Sequence, residues 1–98
     1  MRLGTAIKDL RGKAGLRQED LAERVGLTQS YLSQIENDQK DPNLSALRRI
    51  AQELGVSIPI LFFFSMDEED VRPERKEAFD RIFPRLKNLV EDQLLADA

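Results

Sequence analysis

Between Gln18 and Glu36 the chain reads QEDLAERVGLTQSYLSQIE, and the glycine in its middle decides what this stretch can become. Leu21, Ala22, Val25, Leu27, Leu32 and Ile35 are its apolar members. Their spacing fits helix, glycine, helix better than one continuous rod. Gly26 directly follows Val25, where a first helix needs a residue tolerant of positive φ. Thr28 stands one residue before a second helix, as a side-chain acceptor for its free N–H groups. The stretch therefore predicts two short helices folded about a tight turn, with polar side chains along the outer face of the second.

The flanking sequence extends this into a helical domain. Leu3, Ile7, Leu10 and Ala14 recur at helical spacing, and Gly15 ends that first helix. The second helix runs from about Gln18 to Val25, with Glu19 and Asp20 in its first turn where the helix dipole favours anions. The third runs from about Gln29 to Glu36, and the following NDQKDP is dense in turn formers. Asn43 caps a fourth helix carrying Leu44, Leu47, Ile50, Ala51 and Leu54, closed by Gly55. Ser57 caps a short fifth helix through Ile58, Leu61 and Phe62, with Pro59 tolerated in its first turn. No segment alternates with period two, so the predicted fold is all-α, with a five-helix domain over residues 1–64.

Beyond it, residues 65–72 (SMDEEDVR) read as an acidic linker without a core pattern, and the DEED run as solvated carboxylates; it lacks the glycine turn and ligand spacing of a calcium loop. Residues 73–98 form an amphipathic helical extension. Pro84 inside it predicts a kink or break near Arg81 to Phe83, giving one bent helix or two short ones. Of the Phe62-Phe63-Phe64 triplet, one or two rings finish the domain core, and at least one meets the C-terminal segment or a second chain.

Composition narrows the chemistry. At 98 residues there is room for one modest core plus an appendage. The chain has neither Cys nor His, which removes disulfides, thiol nucleophiles, the commonest general base and the usual zinc ligands. No nucleophile–base pair, phosphate-cradling glycine loop or metal-ligand spacing is present, so neither an enzyme, a metal nor a cofactor is expected. No apolar run approaches the roughly 20 residues that cross a bilayer, and the N-terminus lacks a signal segment, which points to a cytoplasmic protein with no membrane partner. The net charge of −3 is unevenly spread. Residues 1–64 carry 9 Lys/Arg against 8 Asp/Glu, whereas residues 65–98 carry 6 against 10. The acidic excess belongs to the tail, and local cations rather than the total decide phosphate contact.

The predicted unit is a helix-turn-helix, whose second helix lies in the DNA major groove. With all five helices placed, residues 2–63 resemble the Xre family, the DNA-binding domain of phage Cro and CI-type repressors. The matching pieces are LRGKAGLRQEDLAERVGLTQSYLSQIEN and DPNLSALRRIAQELGVS, with Gln18, Ala22, Gly26, Ile35, Glu36 and Asn37 in register. The resemblance implies a lambda-repressor-like domain binding double-stranded DNA. Thr28, Gln29, Ser30, Ser33 and Gln34 would then reach base edges, Gln29 with the bidentate geometry that suits adenine N6 and N7. Arg17, Gln18, Asn37 and Lys40 would contact phosphates. Tyr31 would either bracket the backbone or cover the core edge. Arg11 and Glu36 match a pair that forms a salt bridge beneath the DNA face in related repressors. Two departures stand out: Asp38 occupies a position where the family often has Gly, so the loop is expected to differ locally. Arg17 stands where a Ser or Thr cap is common, so the second helix starts with a weaker cap.

Reading two half-sites about 34 Å apart requires two-fold pairing. The apolar stripe Phe79, Ile82, Phe83, Leu86, Val90 and Leu94 can fold back on its own domain or join two chains, and self-association is the expectation. Burying ~800 Å² per chain would suit a stable dimer. A homodimeric repressor on a palindromic operator follows. The alternative is an antitoxin-like protein whose tail docks a partner protein.

Overall fold

The computed structural model describes residues 1–95. These form α1 (Leu3–Lys13), α2 (Gln18–Val25), α3 (Gln29–Glu36), α4 (Leu44–Leu54), α5 (Ile58–Ser65) and α6 (Lys76–Val90), with no strand among the described residues. Short 3-10 turns at Glu68–Asp70 and Pro73–Arg75 precede α6, and a π turn at Glu91–Leu95 follows it. The five expected helices of the domain are all present.

Their ends follow from the residues placed there. Thr28, Asn43 and Ser57 each accept a backbone N–H three residues on, at 3.1, 2.8 and 3.3 Å, and so cap α3, α4 and α5. At the end of α2, Gly26 adopts φ 73°, and Leu27 N–H reaches back to the Ala22 carbonyl at 2.9 Å. That left-handed turn aims α3 across α2.

Ile7, Leu21, Leu32, Ile35, Ile50 and Leu61 are wholly buried in one core to which α1 through α5 all contribute. Each such side chain contributes about 1.5–3 kcal/mol by leaving water. Ala22, also buried, allows α2 to lie close against its neighbours. Leu44 and Ala14, expected on core stripes, are exposed instead. Leu44 is the first residue of α4 and Ala14 lies just past α1, so neither is under a neighbouring helix.

Three features of the C-terminal third refine what was expected. The acidic 65–72 segment is not merely a solvated linker. Ser65 closes α5 and is buried, and its carbonyl accepts Arg2 N–H at 2.8 Å. Asp67 and Asp70 receive the Met1 ammonium at 3.5 and 3.0 Å, and Asp70 also accepts Asp67 N–H at 2.9 Å. The run thus closes on itself and on the start of α1, which lowers the Asp70 pKa, first through the Asp67 N–H and then through the ammonium.

Secondly, of the one bent helix or two short ones expected, α6 is a single helix that runs through Pro84. Packing on the ring side offsets the lost backbone bond: Phe79 and Phe83 stack at 4.7 Å, and Phe83 lies 5.2 Å from Phe63. Thirdly, the tail does fold back in part. Val90 and Leu95 pack against the domain core, Lys13 pairs with Glu91 at 2.6 Å, and Lys87 lies 5.9 Å above the Phe64 ring. Ile82, Leu86, Leu89 and Leu94 remain exposed. Residues 96–98 of the expected extension lie outside the described residues.

Candidate nucleic-acid interface

A buried carboxylate organises the ends of three helices. Glu36, at the end of α3, has its side chain 1% exposed. A charge so placed must be paired and hydrogen-bonded. Arg11 of α1 supplies a bidentate pair, Nε to Oε2 at 2.7 Å and Nη2 to Oε1 at 2.9 Å, and spends Nη1 on the Leu16 carbonyl at 2.8 Å. These bonds raise the Arg11 pKa, chiefly through the hydrogen bond to Glu36. Glu36 Oε1 also accepts Gln18 Nε2 at 3.0 Å. The expected Arg11–Glu36 bridge is therefore present, and Gln18 joins it.

Gln18 carries the network outward. Its Oε1 lies 3.5 Å from Gln29 Nε2, at the long limit of a hydrogen bond. Gln18 opens α2 and Gln29 opens α3, so the two amides stand together where two helix N-termini meet the surface. Thr28, Gln29 and Ser30 are exposed, and Ser33 and Gln34 are half-buried along the same helix. Thr28 Oγ1 accepts Tyr31 N–H, so its hydroxyl oxygen is already committed to the cap. Tyr31 is half-buried and packs against the core.

Arg17 is held by carboxylates of its own helix: Glu19 at 2.7 Å, and Asp20 at 2.9 and 3.2 Å. Its guanidinium cannot cap α2, having no acceptor, but Asp20 reaches back to the Arg17 N–H at 3.3 Å. The start of α2 is closed from the third position rather than the first. The Arg17 hydrogen bond lowers the Asp20 pKa.

Asn37 and Lys40 are exposed in the loop after α3. That loop does not distort at Asp38. Asp38 adopts φ 59°, its N–H bonds the Ile35 carbonyl at 3.0 Å, and Gln39 N–H bonds the Gln34 carbonyl at 2.9 Å. This is the paired-bond helix ending that Gly makes elsewhere, here built on Asp.

Sequence reasoning missed what Asp38 does with its side chain. Oδ1 accepts Gly4 N–H and Oδ2 accepts the Thr5 hydroxyl, both at 2.8 Å. Gly4 allows this approach: a Cβ there would sit 1.9 Å from the Ile35 carbonyl oxygen. The only sequence signal was an Asp in a glycine position and a Gly early in α1.

Residues 7–61 match the helix-turn-helix family. The immunity repressor protein of Bacillus phage phi105 is 34% identical over 94 residues, covering 94% of this chain and 65% of that protein. An uncharacterized HTH-type transcriptional regulator of Methanothermobacter thermautotrophicus is 38% identical over 68 residues, 69% of this chain and 97% of the relative. The crystal structure of the clp gene regulator ClgR from Corynebacterium glutamicum shares the fold, with TM-score 0.65 and 22% identity over 95% of this chain and 90% of that one. That likeness reaches past the five-helix domain into α6. With the two-helix unit, its buried Arg–Glu pair and these matches in agreement, the chain belongs to the helix-turn-helix family of DNA-binding transcriptional regulators, in its Xre type.

Proposed function

We propose that this protein is a sequence-specific, homodimeric transcriptional repressor that sets α3 in the major groove of a palindromic operator. It acts by binding, with no catalytic step. The observation that carries the reading is the Arg11–Glu36–Gln18–Gln29 chain, which runs from a buried ion pair to the exposed start of α3. An amide held from behind presents its donor and acceptor to a base edge with little freedom left to lose. Gln29, Ser30, Ser33 and Gln34 read bases; Gln18, Asn37 and Lys40 hold phosphates. Arg17 serves the backbone only by exchanging its carboxylate partners for phosphate.

Dimerisation is assigned to the outward side of α6. Ile82 and Leu86 border an open apolar groove of about 340 Å³, whose floor includes Phe63, Phe79 and Phe83. A second reading, docking of a partner protein in the manner of an antitoxin, rests on the same stripe. Selection from a random DNA pool tests the leading reading: enrichment of a two-fold symmetric site with half-sites about 34 Å apart is expected. An unsymmetric site bound by a monomer overturns the homodimer, and no enrichment overturns DNA reading altogether.

A further inference from the structure

Four helices of the domain end in the same backbone turn, a left-handed residue whose successor bonds back across the last helical turn. Gly15, Gly26 and Gly55 fill three of those positions, and Asp38 fills the fourth, at the end of α3. A non-glycine residue there carries a steric cost that glycine avoids. Something about the side chain must offset that cost at α3 and nowhere else.

The two bonds from Asp38 to Gly4 and Thr5 supply it. The first of them also satisfies the free Gly4 N–H in the first turn of α1, whose preceding residue, Arg2, makes no side-chain cap. Resting on the proposed reading of α3, we infer that Asp38 is a positioning residue for DNA recognition: it locks the C-terminal end of α3, and with it the 37–40 loop, onto the first turn of α1.

The geometry makes the lock matter for binding as well as stability. α3 has eight residues, so a tilt at its C-terminal end moves Gln29 at the other. The Gln34 carbonyl accepts both Gln39 N–H at 2.9 Å and Lys40 N–H at 3.3 Å, so the turn that Asp38 fixes also sets the start of Lys40. Gly4 lets α1 approach within contact of the Ile35 carbonyl, and the Arg11–Glu36 pair ties the same end of α3 to the last turn of α1. Bidentate base contacts tolerate little displacement, whereas nonspecific phosphate attraction tolerates much.

The test is the ratio of affinities for the duplex enriched by selection and for a scrambled duplex of equal length. It is read by fluorescence anisotropy, at a temperature where circular dichroism shows each variant folded. Asp38→Gly keeps the backbone turn and removes the carboxylate. It is expected to lower the ratio about fivefold to tenfold, the scale of one or two lost hydrogen bonds. Asp38→Asn retains an acceptor for Gly4 N–H and a polar partner for Thr5, and is expected to stay within about twofold of the original. Thr5→Ala, an exposed change that spares the other bond, should fall between them.

Asp38→Gly with an unchanged ratio overturns the inference, whatever its melting temperature, because the carboxylate is then structural only. Asp38→Asn falling as far as Asp38→Gly overturns it too, since charge rather than the lock would be at work. If the original chain fails to distinguish the two duplexes, the DNA reading falls and takes this inference with it. If it distinguishes them and Asp38→Gly does equally well, this inference alone falls.

Discussion

Glu36 and Gln29 sit seven residues apart on α3, yet one is sealed in the core and the other faces solvent. Gln18 joins them, so single changes along this line have unlike consequences. Arg11→Ala strands the Glu36 carboxylate with Gln18 as a neutral partner and should cost ~3–5 kcal/mol in urea denaturation. Gln29→Ala removes no core contact. It should leave stability nearly unchanged while relaxing base preference, worth about 1–3 kcal/mol against the wrong base in competition binding. Lys40→Ala should weaken all duplexes alike and lower the slope of log affinity against log salt by about one.

At the scale of elements, α2 shows how a helix start is repaired when its first residue is a poor cap. Arg17 cannot accept the free N–H groups, so Asp20 bonds back to Arg17 and pairs with its guanidinium. This Arg17 pairing holds the Asp20 carboxyl below its ordinary value. A depressed folded-state pKa gives stability that is present above the unfolded value and lost as pH falls through the folded one. The start of α2 should therefore loosen on acidification, seen as falling protection factors at the amides of residues 20 and 21 as pH drops through and below the ordinary carboxylate range. Unchanged protection across that range would remove Asp20 from the capping role. α6 makes a different compromise. Pro84 forfeits one backbone bond, and the stacked Phe79 and Phe83 against Phe63 keep the helix whole across it.

Across the whole molecule, α6 has two faces in different surroundings. Phe83, Val90 and Lys87 turn toward their own domain, while Ile82, Leu86, Leu89 and Leu94 stay outward. The stripe expected to act as one surface is thus divided between self-packing and a face open to a partner. Leu86→Glu falls on the more exposed side of α6, at the edge of the groove. It should leave the thermal transition close to the original and turn a dimer into a monomer at micromolar concentration, measured by multi-angle light scattering. A Leu86→Glu chain that remains dimeric would move the interface off α6. Loss of cooperative melting would instead give Leu86 a part in the domain's own packing.

Apolar spacing and punctuation by themselves determined the five helices of the domain, because Gly, Asn, Ser and Thr act on the backbone within a few residues of where they stand. The same locality made the polar row on α3 legible, and the family resemblance supplied the Arg11–Glu36 pair. The tertiary structure alone decided what depends on distant partners. Gly4 and Asp38, 34 residues apart, meet through a hydrogen bond and a glycine-sized gap that no period in the sequence records. Asp67 and Asp70, still partly open to solvent, reach the Met1 ammonium just ahead of α1, and α6 survives its proline because the Phe63 ring of α5 lies against Phe83. A propensity states what a segment prefers when isolated; packing across the chain settles whether that preference prevails.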